Sequence, residues 1–289
     1  MRALGAAALL AGLLFTCGAV ATGRQDKEKE KELQKLLSEI EDANKERKYG
    51  EVLKLAERAA KLDPKNPAIP FAAGTAHDKL RQNAEAVKAF SEVLKLEPKA
   101  IVALDRRGDA HLKNGDFKAA IEDFDAFLKE RPKFAPDHWR RGIALYYAAR
   151  FKDGVAQFDL HRKVNPEDVE NSAWHYLCNA RANTPKKARE DLIPVTKDTR
   201  VPMKEVMELF AGKIKPVDVL DAADKAKLGE EDRKEARFYA NLYVALYYES
   251  EGDAKKCLEH MTAAVEKYEI GHYMWDVGAI HLKLLKKKK

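Results

Sequence analysis

An all-α fold of repeated helix pairs is what this 289-residue sequence predicts, and three observations carry the prediction. Three chemically unrelated residue types recur with one period: Gly74, Gly108 and Gly142, then Phe90, Phe124 and Phe158, then Pro64, Pro98, Pro132 and Pro166 each stand 34 residues apart. A shared period of that length marks a chain built of stacked structural repeats. Each row also holds two apolar-periodic segments, parted by a polar break at "RQN", "KNG" or "AAR" and followed by a proline, which reads as helix, tight turn, helix, stop. No segment sustains the every-second-residue alternation of a half-buried strand.

Along the chain, residues 1–21 come first and differ from everything after them. Arg2 supplies a positive start, residues 3–15 are apolar apart from small glycines, and Ala19–Ala21 offers a small-x-small cleavage site. This is the pattern of a secretory signal peptide, so the chain is expected to be exported, periplasmic or secreted, with its mature end near Thr22. An uncleaved anchor is the competing reading, but an Ala- and Gly-rich run makes a poor span. Lipidation of Cys17, giving an outer-membrane lipoprotein held at the membrane, ranks second because Phe15 and Thr16 sit where a lipoprotein signal wants small residues.

Residues 22–182 are expected to form the main repeat array, opening on a first helix at roughly 27–46 that lacks the repeat glycine. Terminal repeats are often atypical because one face meets water. The period fails after Pro166, and Pro185, Pro194, Pro202 and Pro216 break residues 183–235 into an irregular helical insertion. Repeat-like chemistry resumes at 236–268, and a helix at about 272–286 closes the array within a terminal segment of 236–289.

Gly142 sits inside "WRRGIALYYAARF" (139–151), where alanine would favour a helix by roughly 1 kcal/mol. Its recurrence as Gly74 and Gly108 points to packing: the glycine lies where two helices cross, with Ala86, Ala120 and Gly154 at the facing small position. Phe90, Phe124 and Phe158 complete the repeat-packing set.

These rows resemble the tetratricopeptide repeat (TPR), whose pattern fixes a glycine, aromatics, alanines and a proline at these offsets. The resemblance implies a helix-turn-helix solenoid of about four to five repeats. His77 and His111 stand where the family commonly has Tyr, and Pro70 where it has Trp. A closer likeness covers roughly 66–285: "RRGIALYY", "SAWHYL", the insertion with "ELFAGKI" and the returning "FYANLYVALYYESEGD" are similar, in that order, to the NlpI-type periplasmic TPR proteins. It implies a helical cell-envelope adaptor, dimeric in the best-known case, that holds peptidoglycan hydrolases and a protease.

The formal charge of +6 arises from 53 basic and 47 acidic side chains whose signs alternate along the chain, as in "KEKEKELQK". A nucleic-acid binder gathers its positive charge into a stripe. The one basic block, Lys286–Lys289, reads as a solvated helix end, so no nucleic-acid partner is expected. Cys178 and Cys257 read as small apolar residues packed between helices, with a disulfide left open by export.

Catalytic spacings such as G-x-S-x-G, H-E-x-x-H and C-x-x-C do not occur, so an enzyme is not expected. His77 and His111 lack the third ligand that a zinc site wants, since Leu145 stands in the next row, so neither metal nor cofactor is expected. Asp123 and Asp125 flank Phe124 and point to different helix faces. Binding has the better case. In TPR stacks the first helix of each repeat lines a concave groove, and the facing positions fall on Phe71, Thr75, Asp78, Asp105, Asp109, Leu112, Trp139, Ile143, Tyr146 and Tyr147. The Lys and Asn clamp that holds chaperone C-termini has no counterpart there. Adjacent tyrosines on a helix are not expected to face one neighbour, which leaves Tyr146 and Tyr147 open between groove and core. The expected function is a non-catalytic exported adaptor for a protein partner; an envelope enzyme on an α-solenoid and a purely structural homodimer are the alternatives.

Overall fold

The computed structural model describes residues 24–287. The expected signal at 1–21 and Cys17 lie outside the described residues. Among the described residues every regular element is helical, as expected, and the chain separates into two compact units that end at Asn114 and begin at Gly115.

The first unit holds α1 (Arg24–Lys45), α2 (Tyr49–Leu62), α3 (Ala68–Lys79), α4 (Asn83–Leu96) and α5 (Ile101–Asn114). Leu36, Ile40 and Ala43 recur at helical spacing on α1 and are buried with Val52, Leu55, Ala56 and Ala59 of α2. That narrow apolar stripe suits a terminal helix with one face in water. A second cluster joins Phe71 of α3 to Phe90 and Val93 of α4 and to Ala103 and Ala110 of α5.

The second unit holds α6 (Phe117–Glu130), a 3-10 turn at Pro132–Phe134, α7 (Trp139–Tyr147), α8 (Phe151–His161), α9 (Val169–Ala182), α10 (Pro185–Glu190), α11 (Met203–Phe210), α12 (Pro216–Lys225), α13 (Glu230–Ser250), α14 (Ala254–Lys267) and α15 (Tyr273–Lys287). The proline-broken stretch is fastened to the start of α9. Glu167 accepts hydrogen bonds from the amides of Thr196 and Lys197, Ser172 donates to the Ile193 carbonyl, and Arg200 reaches Asp168, Glu170 and Asp198. Irregular backbone is tolerated here because its polar groups find partners. Burial raises the pKa of Glu170 above the usual carboxylate range, against the opposing pull of Arg200 and the Tyr243 hydroxyl. α13 begins at Glu230, earlier than the expected 236.

The repeat glycines make room for rings. A Cβ on Gly74 would stand 2.8 Å from the Phe90 ring, and one on Gly142 would stand 2.6 Å from the Phe158 ring. The expectation had paired Gly142 with a small residue on the second helix. Gly154 does come near, its Cβ position 3.8 Å from the Gly142 carbonyl oxygen, but its tightest neighbour is Cys178 Sγ at 2.6 Å. Cys178 and Cys257 are both buried and not joined in a disulfide, and burial lifts the Cys178 thiol pKa far above its ordinary value, which keeps it an unreactive packing group.

A second periodic feature is invisible in the composition of the rows. Arg47, Arg81, Gly115 and Ala149 stand 34 residues apart and all have positive φ, at 59°, 57°, 92° and 58°. Around Arg81 the amide of Gln82 bonds the His77 carbonyl and that of Arg81 bonds the Asp78 carbonyl, the paired closure of a Schellman turn. The same two bonds recur at Arg47 and Ala149. Only one of the four joints uses glycine, and a left-handed residue with a Cβ costs about 1–2 kcal/mol.

Two substitutions should therefore act with opposite sign. Gly142→Ala, despite its gain in helix propensity, should lower stability by about 1–3 kcal/mol because the Phe158 ring is fully buried and has nowhere to move. Ala149→Gly, at an exposed joint, should raise it by about 0.5–1 kcal/mol. Urea midpoints of the two variants beside the parent check both signs.

Candidate partner-binding face

In the first unit the face expected to meet a partner is built from α3 and α5. Phe71 is only 8% exposed and meets the Phe90 ring edge-on, so it belongs to the core more than to a surface. Thr75 turns its hydroxyl back to the Phe71 carbonyl at 3.0 Å. Asp105 is half-buried. Leu112 and Asp109 are buried, which corrects their placement on an open groove.

Asp109 is buried because it has a partner that the sequence reading missed. Lys113 reaches Asp109 Oδ2 at 2.8 Å and Asp78 Oδ1 at 2.6 Å, with little of any of the three side chains left in water. Burial alone would lower the Lys113 ammonium pKa, but the charges of Asp109 and Asp78 outweigh it and hold it above the lysine value of 10.5. On the alkaline side, the stability that the lysine's charge confers is still whole at neutral pH and is lost as the pH climbs beyond 10.5. Lys113 follows Asp109 by one helical turn, the signal that could have found it.

In the second unit the expected residues lie on α7. Ile143 and Tyr146 are 1% and 5% exposed, so neither is open to a partner, and this corrects both assignments. The Tyr146 hydroxyl bonds the Glu249 carboxylate, and burial followed by that carboxylate raises its pKa well above the ordinary tyrosine value. Tyr147 is half-buried, stacked on Phe117, with its hydroxyl 3.1 Å from His281 Nδ1. Tyr146 and Tyr147 both reach Trp174, at ring separations of 5.4 and 6.1 Å, contrary to the expectation that neighbours on a helix cannot share one partner. The indole is wide enough to span the step between them. Trp139 is half-buried, with its ring 4.8 Å from that of Tyr273 on α15. Glu249, Tyr273 and His281 stand more than a hundred residues away, and no local pattern announces them.

Neither face carries a catalytic arrangement among the described residues. His77 Nδ1 lies 2.6 Å from Gln82 Oε1 of its own turn, and Asp125 pairs with Arg141. Among the described residues no group of three His, Cys, Asp or Glu side chains is placed to hold a metal ion, and no described helix is long and apolar enough to cross a membrane.

Residues 71–135 and 106–166 match the tetratricopeptide repeat family, about a third of the chain, and the consecutive helix pairs are typical of that solenoid class. A tetratricopeptide repeat protein from Parabacteroides merdae ATCC 43184 aligns with a TM-score of 0.58 at 15% identity, covering 89% of this chain and 99% of that one. MamA from Desulfovibrio magneticus RS-1 aligns at 0.49 and 23% identity, covering 59% of this chain and 92% of that one. YrrB, described as a TPR protein with an unusual peptide-binding site, aligns at 0.42 and 14% identity, covering 78% and 98%. At 15% identity the likeness to the Parabacteroides merdae protein is one of fold. No curated protein matches the chain. Tetratricopeptide repeats are in general non-catalytic scaffolds for protein–protein interaction.

Removing Lys113 tests the first of these faces. Lys113→Met should cost about 3–5 kcal/mol, because it removes the cation that bridges the Asp78 and Asp109 carboxylates in a site with little water. Adding Asp109→Asn to the same chain should recover part of the loss, read from urea denaturation of both variants.

Proposed function

We propose that this protein is an exported, non-catalytic adaptor that holds a protein partner on its repeat face, the partner being a peptidoglycan hydrolase or a protease of the cell envelope. One observation carries the reading. In the second unit the first helix of a repeat presents the half-buried aromatic side chains of Trp139 and Tyr147, while the ionisable groups beside them are tied to other side chains and not poised over a substrate. Such a surface recognises shape and charge. The resemblance to NlpI-type proteins supplies the envelope setting and the class of partner, and the apolar leader ending at Ala21 supplies the route of export.

Trp139 is the anchor on which this reading is tested. Aromatic anchors at the centre of an interface cost about 2 kcal/mol or more when truncated, a loss of roughly thirtyfold in Kd. Trp139→Ala should weaken capture of the partner by that factor while costing less stability than the about 3–5 kcal/mol lost when a fully buried tryptophan is truncated, because Trp139 is half-buried. Pull-down from envelope extract with both forms, beside a denaturation curve for each, decides it. Undiminished capture by the variant removes Trp139 from the site, and no stoichiometric partner for either form overturns the adaptor reading. Intact-mass analysis of the exported protein should find a chain beginning near Thr22; a lipid on Cys17, or an uncut chain, would overturn the cleaved-signal reading.

A further inference from the structure

His175 is set into α9 where that helix packs on α8, with only 4% of its surface in water. Its Nε2 stands 3.6 Å from Asp159 Oδ1 of α8, while its Nδ1 is buried without a hydrogen-bond partner. A neutral ring fits this place at the cost of one idle lone pair. A protonated ring would bury a charge and a second N–H, and both would need an acceptor.

The carboxylates nearby are already engaged. Asp159 Oδ1 also faces Arg162 at the end of α8, with Nε at 3.8 Å. Asp191, at the end of α10, gives one oxygen to Lys187 Nζ at 2.6 Å and accepts from Asn179 Nδ2 at 3.0 Å on the other. Arg162 is itself a positive neighbour that opposes a charge on His175. His161, the other histidine of α8, turns to the Pro136 carbonyl. The remaining helices meet α9 through other residues: Tyr146 and Tyr147 of α7 at Trp174, Phe210 of α11 at Tyr176, and Tyr243, Glu249 and Glu251 of α13 at Glu170, Arg181 and Tyr176. Burial pushes the His175 pKa below the ordinary histidine value of 6.5, and Asp159 pulls the other way without overcoming it. The fold therefore favours the neutral ring. The stability that depends on that ring is whole above pH 6.5 and is lost as the pH falls below it.

The same interface holds the closest approach of the two helices. Three residues after His175, the fully buried Cys178 sets its Sγ 2.6 Å from where a Cβ on Gly154 of α8 would stand. A charge at His175 thus acts on an interface with no slack to take up a water shell. Parting the helices there would uncover Cys178, which is otherwise sealed.

We propose that His175 makes the interface of α8 and α9 an acid-sensitive joint, closed while the imidazole is neutral and parted when it takes up a proton. The proposal is independent of the adaptor reading, because it concerns only how the second unit holds itself together.

The test uses the full chain and 4,4′-dithiodipyridine, a disulfide that reacts with thiols in mild acid. Modification of Cys178 and of Cys257 is followed by peptide mass mapping, each rate divided by that of glutathione at the same pH. Between pH 7.5 and pH 5.5 Cys178 should react about tenfold faster, the gain expected when opening releases a histidine to its ordinary pKa. His175→Gln should abolish that dependence, since an amide takes up no proton. Equal acceleration in parent and variant, or none in either, overturns the proposal. Cys257 accelerating in step with Cys178 would mean that the whole unit opens, and overturns the joint as well. Should His175→Gln fail to fold, hydrogen exchange on the parent decides. Corrected for the intrinsic effect of pH, the amides of α8 and α9 should open more readily at pH 5.5 than at pH 7.5 while those of α2 and α4 do not; a uniform change, or none, overturns the proposal.

Discussion

The spacing of the helices depends on one contact, a phenyl ring seated on bare backbone. Phe90 rests on Gly74 in the first unit and Phe158 on Gly142 in the second, each ring lying sixteen residues after its glycine. The distance between packed helices is set by the side chains at their crossing. A ring against a glycine fixes that distance more sharply than two aliphatic side chains would, because the ring is rigid and the glycine has no rotamer to adjust. Around α7 the contact propagates. Gly142 admits Phe158, Gly154 on the same helix as Phe158 admits Cys178, and three consecutive helices are thereby drawn together through two missing side chains.

Polar groups then choose among the packings that apolar residues alone would allow. Lys113 ties α3 to α5 through Asp78, Glu249 ties α13 to α7 through Tyr146, and Arg200 ties the irregular stretch to α9 through Asp168 and Glu170. Each is a case in which a wrongly placed helix would strand a charge in a dry environment, at a cost larger than most apolar misfits. These ties add specificity of arrangement, since the desolvation of each charge offsets much of the attraction it gains.

How much of this could be read from the sequence follows from the range of each interaction. Repeats contact their neighbours, so the glycine, phenylalanine and proline series appear as a period and the helix pairs could be placed from it. The left-handed joints were missed because three of the four carry Arg47, Arg81 or Ala149, and a residue in an unfavourable conformation looks like any other residue in a sequence. Phe71, Asp109, Ile143 and Tyr146 were placed on an open face because register gives the direction of a side chain but not what has come to lie over it. For α7 the covering groups are Glu249, Tyr273 and His281, brought there by a part of the chain where the period is lost.

The joints themselves bear on how the protein meets proteases. Arg47 and Arg150 stand at exposed corners and Arg81 at a half-buried one, where a trypsin-like enzyme would look for a cut. A cut requires several residues of extended backbone, and at these corners the amides of Lys48, Gln82 and Arg150 are already given to the carbonyls of Ala43, His77 and Leu145. The corner is therefore as hard to straighten as the helix it closes. Nicking at these arginines would track the opening of a whole helix pair, so an exposed basic residue would behave toward the enzyme as though it were inside the fold.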